Sequence, residues 1–122
     1  MESAESTKVS SEEALEHARA WKDKGATLLL SISRQPDKRA DVCDKLPVSI
    51  LDVTDSSLSF RWQLDVVDPG GPTRPFASAH GTFVVWLEGA SFAVLYSPRK
   101  SLTISRGPYQ CVLTEFRASA FG

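Results

Sequence analysis

Cysteine, histidine and methionine are all scarce in this chain: two, two and one in 122 residues. Cys43 and Cys111 form no C-x-x-C pair and no zinc-ligand spacing. His17 and His80 belong to no H-x-H or H-E-x-x-H pattern. The residues therefore point to no metal and no cofactor. No apolar run exceeds five residues, as in Phe83–Leu87, so nothing resembles a membrane-spanning helix. Met1-Glu2-Ser3-Ala4-Glu5 lacks the basic and apolar regions of a secretory signal, so the expected compartment is the cytosol. There the two cysteines are expected as free thiols, one buried and one in a loop. No charge sign dominates either: 14 bases against 15 acids give a net charge of −1, which argues against nucleic acid as a partner.

What is present reads as one helix followed by strands. Residues 1–8 are small and polar and are expected to form a loose, flexible tail, with a single domain over 9–122. Ser10 and Glu13 fit the S-x-x-E capping box. Ala14, Leu15, Ala18 and Trp21 fall on one helical face, and acids lead while Lys22 and Lys24 close the last turn. Gly25 is a fitting left-handed terminator, so the spacing predicts a helix over 11–24. Trp21 is its natural plug into the apolar side of a sheet.

After Gly25 the period changes to two. Strands are predicted over 27–33, 47–53, 58–66, 81–87, 91–96, 101–105 and 109–117. In the third, Leu58, Phe60, Trp62, Leu64 and Val66 face one way and Ser59, Arg61, Gln63 and Asp65 the other. The segments 35–46 and 68–78 read as loops, the second because of Pro69, Gly70, Gly71, Pro72 and Pro75. Short separators between the later strands imply an antiparallel meander. The expected fold is α+β: an N-terminal helix packed on a curled or closed antiparallel sheet of about six to seven strands, a small β-barrel or roll.

Chemistry-bearing residues are sparse, and three functional readings compete. The leading one is a non-enzymatic interaction or ligand-binding module, with a homodimer as one arrangement. The run 83–87 carries apolar residues on both faces, so Phe83 and Trp86 are interface candidates. Another is a small enzyme with a cleft beside the 68–80 loop, in which Asp65, Arg74 and His80 would converge. A phosphate-bearing small ligand is the remaining alternative. It would be held by Arg34, Arg39 and Asp52, or by Arg99, Lys100 and Arg106 in the mildly basic last third of the chain.

One stretch resembles a known family. PilZ domains are small β-barrels that grip cyclic dinucleotides with an R-x-x-x-R pair and a D/N-x-S-x-x-G turn. Arg34 and Arg39 frame an R-x-x-x-x-R, one residue longer. Asp52-Val53-Thr54-Asp55-Ser56-Ser57 is similar to the turn, with Thr54 for its Ser and Ser57 for its Gly. The resemblance is confined to residues 34–57. It implies nucleotide or cyclic-dinucleotide binding through Arg34, Arg39 and Asp52.

Overall fold

A computed structural model of the protein describes residues 6–34, 43–67, 70, 75–96 and 99–116. A short strand, β1 (Thr7–Val9), leads into the helix α1 (Ser11–Lys24). Seven further strands follow: β2 (Leu28–Arg34), β3 (Cys43–Val53), β4 (Ser57–Val66), β5 (Ala77–Trp86), β6 (Ser91–Leu95), β7 (Ser101–Arg106) and β8 (Tyr109–Glu115). All eight form one antiparallel sheet in the order β1-β6-β7-β8-β2-β3-β4-β5. No helix among the described residues is long and apolar enough to cross a membrane.

The α+β class and the helix-on-sheet arrangement are as the residue pattern implies, and three details differ. The sheet has eight strands, because the tail expected over 1–8 gives way at Thr7 to a strand that pairs with β6. Among the described residues it is not closed, since β1 and β5 are both edges of the hydrogen-bonded order. Nor is it a simple meander, because β5 and β6 are consecutive in sequence yet are not hydrogen-bonded neighbours. Only Leu87–Ala90 separates them, tightened by Ala90 N–H donating to the Leu87 carbonyl (3.0 Å) and by Gly89 at φ 77°. Four residues span at most about 14 Å. The sheet therefore curls until the end of β5 comes round toward β6.

The helix is bounded as its sequence dictates. Ser10 Oγ accepts from Glu13 N–H at 3.1 Å. Gly25 ends it at φ 65°, donating to the Lys22 carbonyl, while Ala26 N–H donates to the Trp21 carbonyl. The Glu13 carboxylate, the expected other half of a capping box, lies 3.9 Å from His17 Nε2. Ala14, Leu15, Ala18 and Trp21 are all buried. The helix touches β6 and β3, four positions apart in the sheet, so it runs across the strands.

Trp21 anchors this packing. It is 1% exposed, and its indole Nε1 donates to Glu115 Oε2 at 2.8 Å. Lys100 Nζ lies 5.5 Å from the ring centroid. Beneath it, register aligns one apolar face: Val94, Leu102, Leu113, Leu30 and Leu46 in one row, Phe92, Ile104, Cys111, Ile32 and Cys43 in the next. Phe60 and Phe83 continue this face, stacked at 5.3 Å. Trp62 lies so close over Gly81 that an added Cβ would come within 2.9 Å of the indole nitrogen.

The apolar face of β4 is only partly core. Leu58 and Phe60 are buried, but Leu64 and Val66 are 54% and 49% exposed. The β3–β4 ladder is registered from Val48↔Trp62 onward, beside Pro47, which has no N–H to give a ladder. Past that point, among the described residues, β4 pairs with β5 alone, from Gln63↔His80 to Val66↔Ala77. The distal half of this hairpin is therefore an exposed two-stranded arm.

Truncating the anchor should be costly. Trp21→Ala is expected to lose about 3–5 kcal/mol in urea unfolding. Glu115→Ala, which orphans the buried indole N–H, should lose about 1–3 kcal/mol. A loss below 1 kcal/mol for Trp21→Ala would contradict the anchor's role.

Candidate functional site

The helix crosses the strands at one end and leaves their other end open. Along β8, Glu115 meets Trp21 while Tyr109 lies six residues away, roughly 20 Å at the ~3.3 Å rise of a strand. At this open end a cavity of about 490 Å³ is lined by Ile32, Val84, Val85, Trp86, Ile104, Arg106, Gly107, Pro108, Tyr109, Gln110 and Cys111. Its size falls within the ~300–1,000 Å³ usual for small-molecule sites.

Strand alternation and one tight turn build this mouth. Leu28, Leu30, Ile32 and Arg34 alternate onto the concave face of β2, so Arg34 follows Ile32 outward from the core. Gly107 takes φ 58°, which suits a two-residue hairpin turn and sets Arg106 opposite Tyr109. Register then gives Arg34↔Tyr109↔Arg106 across three adjacent strands. The next row inward is Ile32↔Cys111↔Ile104, an apolar floor. Arg106 Nη1 also donates to the Trp86 carbonyl at 3.4 Å, tying the end of β5 across the opening. Trp86, 60% exposed, and Tyr109, 49% exposed, stand at the rim. A second cavity, lined by Ser56, Trp86, Glu88 and Arg106, shares two of these side chains.

Cys111 is the thiol in the floor. Burial, with a smaller push from the neighbouring Cys43, raises its pKa to about 12. Cys43 and Cys111 flank Ile32 on opposite sides, two strand spacings apart at about 9.5 Å. That exceeds the ~7 Å limit for a disulfide, and neither cysteine is in one. A thiol held protonated is a poor nucleophile.

The residues singled out from the sequence scatter. Arg34 is not among the residues that line the cavity but is the cross-strand neighbour of Tyr109, which is, and Trp86 stands at the rim. Asp52 sits at the far end of β3, about 30 Å from Arg34 along the strands, with its carboxylate accepting from Val53 N–H at 2.9 Å. Arg34 and Asp52 are not brought together, and Arg39 lies outside the described residues. His80 and Asp65 share the outer face of the exposed arm, where Asp65 accepts from Gln63 Nε2 at 3.0 Å. Every described residue of the arm from Ala77 to His80 is exposed. Arg74 also lies outside the described residues. Phe83 faces inward onto Phe60, leaving Val84 and Trp86 as the exposed large apolar residues of β5. Lys100 and Arg106 occupy opposite ends of β7, so Arg99, Lys100 and Arg106 make no single basic patch.

His17, on the helix, packs against Tyr96 just after β6. Its ring is edge-on to Tyr96 at 6.0 Å, and burial, then Lys100, lowers its pKa against the opposing pull of Glu13 and Glu16. Tyr109 was the residue that motif reading passed over. Its signal is the Arg106-Gly107-Pro108-Tyr109 turn, which makes it the cross-strand partner of an arginine. The chain matches no family model, no curated protein and no solved structure.

The raised thiol pKa has a definite sign. The folded state keeps its proton where the unfolded chain loses it, so this stabilisation is complete below pH 9 and lost as pH rises toward 12. In native protein at pH 8, a thiol reagent should label Cys43 and spare Cys111. Between pH 9 and 12, Cys111→Ala should lose less stability than the parent. Rapid labelling of both thiols would contradict this.

Proposed function

We propose that the protein is a non-enzymatic binding module that takes an amphipathic anion, a small molecule with an apolar body and a carboxylate or phosphate head, at the open end of the sheet. The observation that carries this reading is the Arg34–Tyr109–Arg106 row directly above the Ile32–Cys111–Ile104 floor. The floor and the Val85 side wall favour an apolar body. The two guanidiniums flank the phenol and can grip an oxyanion in fork geometry. Trp86 and Tyr109 supply flat, amphipathic rim surfaces. The one thiol in the floor is kept protonated by burial, which supports holding a ligand rather than attacking it.

The test compares three ten-carbon probes below their micelle concentrations: decanoate, decanol and decyltrimethylammonium. Calorimetric titration should give saturable one-site binding of decanoate, weaker binding of decanol and the weakest for the cation. Arg106→Gln and Arg34→Gln should each weaken decanoate about tenfold, in line with about 1.5 kcal/mol for a charge-assisted hydrogen bond. Decanol affinity should stay nearly constant in both variants. Equal affinity for all three probes, or no binding of any, would overturn the reading.

A further inference from the structure

The two edges of the sheet are built differently. β1 is three residues long and carries Lys8, a short and charged edge of the kind that resists pairing. β5 is ten residues long, Ala-Ser-Ala-His-Gly-Thr-Phe-Val-Val-Trp, with no Lys, Arg, Asp, Glu or Pro. It uses none of the sequence devices that keep an edge strand single.

Its composition is also split about its middle. Ala77, Ser78, Ala79 and His80 precede Gly81, and three of these four are small. Thr82, Phe83, Val84, Val85 and Trp86 follow, and all but Thr82 are large and apolar. Just before the strand stands Phe76, at 79% exposure, which with Trp86 makes the two most exposed large apolar residues described. Phe76 lies five positions before Gly81 and Trp86 five after.

We propose that β5 pairs edge to edge, antiparallel, with β5 of a second copy about a two-fold axis at Gly81. That register sets Ala77 opposite the partner's Val85, Ala79 opposite the partner's Phe83, and Ser78 opposite the partner's Val84. Small residues of one half meet large ones of the other, so neither face is overfilled. Phe76 of each protomer comes opposite the partner's Trp86, and both exposures have one explanation. No like charges oppose each other, because the strand has none. The ladder spans 77–85, stopping where the Trp86 carbonyl already accepts from Arg106. A self-complementary patch on a two-fold axis is the commonest homodimer geometry.

Sedimentation of the full chain from 10 to 200 µM tests this. The parent should show twice the 13.3 kDa chain mass. His80→Glu with Thr82→Glu places like charges directly opposite across the axis, and Thr82 pairs in-chain with Arg61, which accommodates a glutamate. This double variant should sediment as a monomer with an unchanged far-UV spectrum. His80→Lys with Thr82→Glu makes the same cross-axis pairs attractive and should restore the dimer. A monomeric parent at 200 µM, or a dimer that survives the double glutamate, would overturn the proposal. Failure of the lysine–glutamate variant to recover the dimer would overturn the Gly81 axis.

Discussion

The burial of Trp21 is the constraint on which the rest of the structure depends. Its indole fills the concave side of the sheet at one end, and its only polar atom is satisfied by Glu115 at 2.8 Å. That contact fixes where α1 lies, and Lys100 above the ring and Tyr96 against His17 hold the helix over the same end. A single helix is about 10 Å across. Laid across strands up to 11 residues long, it covers part of their length and leaves the rest of the concave face to other side chains.

The open end is completed from within the sheet. The floor of Ile32, Cys111 and Ile104 continues the core row by row, and the next row changes abruptly to Arg34, Tyr109 and Arg106. Curling of the sheet brings Val84–Trp86 round to form a wall, and the Arg106–Trp86 hydrogen bond spans the gap that no strand ladder closes among the described residues. The failure to close and the presence of a pocket are thus one fact. An edge strand beside that gap is left with a long, uncharged margin, which is what makes β5 suited to a second copy.

Much of this fold was legible in the sequence because its signals are local. The Ser10 cap, the Gly25 terminator and the stripe from Ala14 to Trp21 define α1 without reference to anything distant. The alternation of Leu58, Phe60 and Trp62 reports a half-buried strand in the same way. β1 escaped because Thr7-Lys8-Val9 is too short to show a period and exists only through β6. The meander holds from β6 to β8 and breaks only between β5 and β6, because a four-residue link such as Leu87–Ala90 normally joins paired strands and only the curl allows it to join unpaired ones. Leu64 and Val66 have the alternation of a core face, but the core ends at Trp62. The site was legible only in part. Arg34 and Trp86 were singled out, yet the row that gives Arg34 a role joins positions 34, 106 and 109 through cross-strand register. A local motif gave Arg39 and Asp52 as its companions instead, and strand geometry carries Asp52 to the opposite end of β3.

The central claim is that the helix closes one end of the curled sheet and the other end is the binding site. Amide chemical-shift mapping of the uniformly labelled protein during a decanoate titration tests it most directly. Saturable shifts should concentrate at Ile32 to Arg34, Val84 to Trp86 and Ile104 to Cys111, leaving the helix from Ser11 to Lys24 nearly still. Shifts centred on the helix end around Trp21 and Glu115, or spread evenly over the exposed arm, would contradict it.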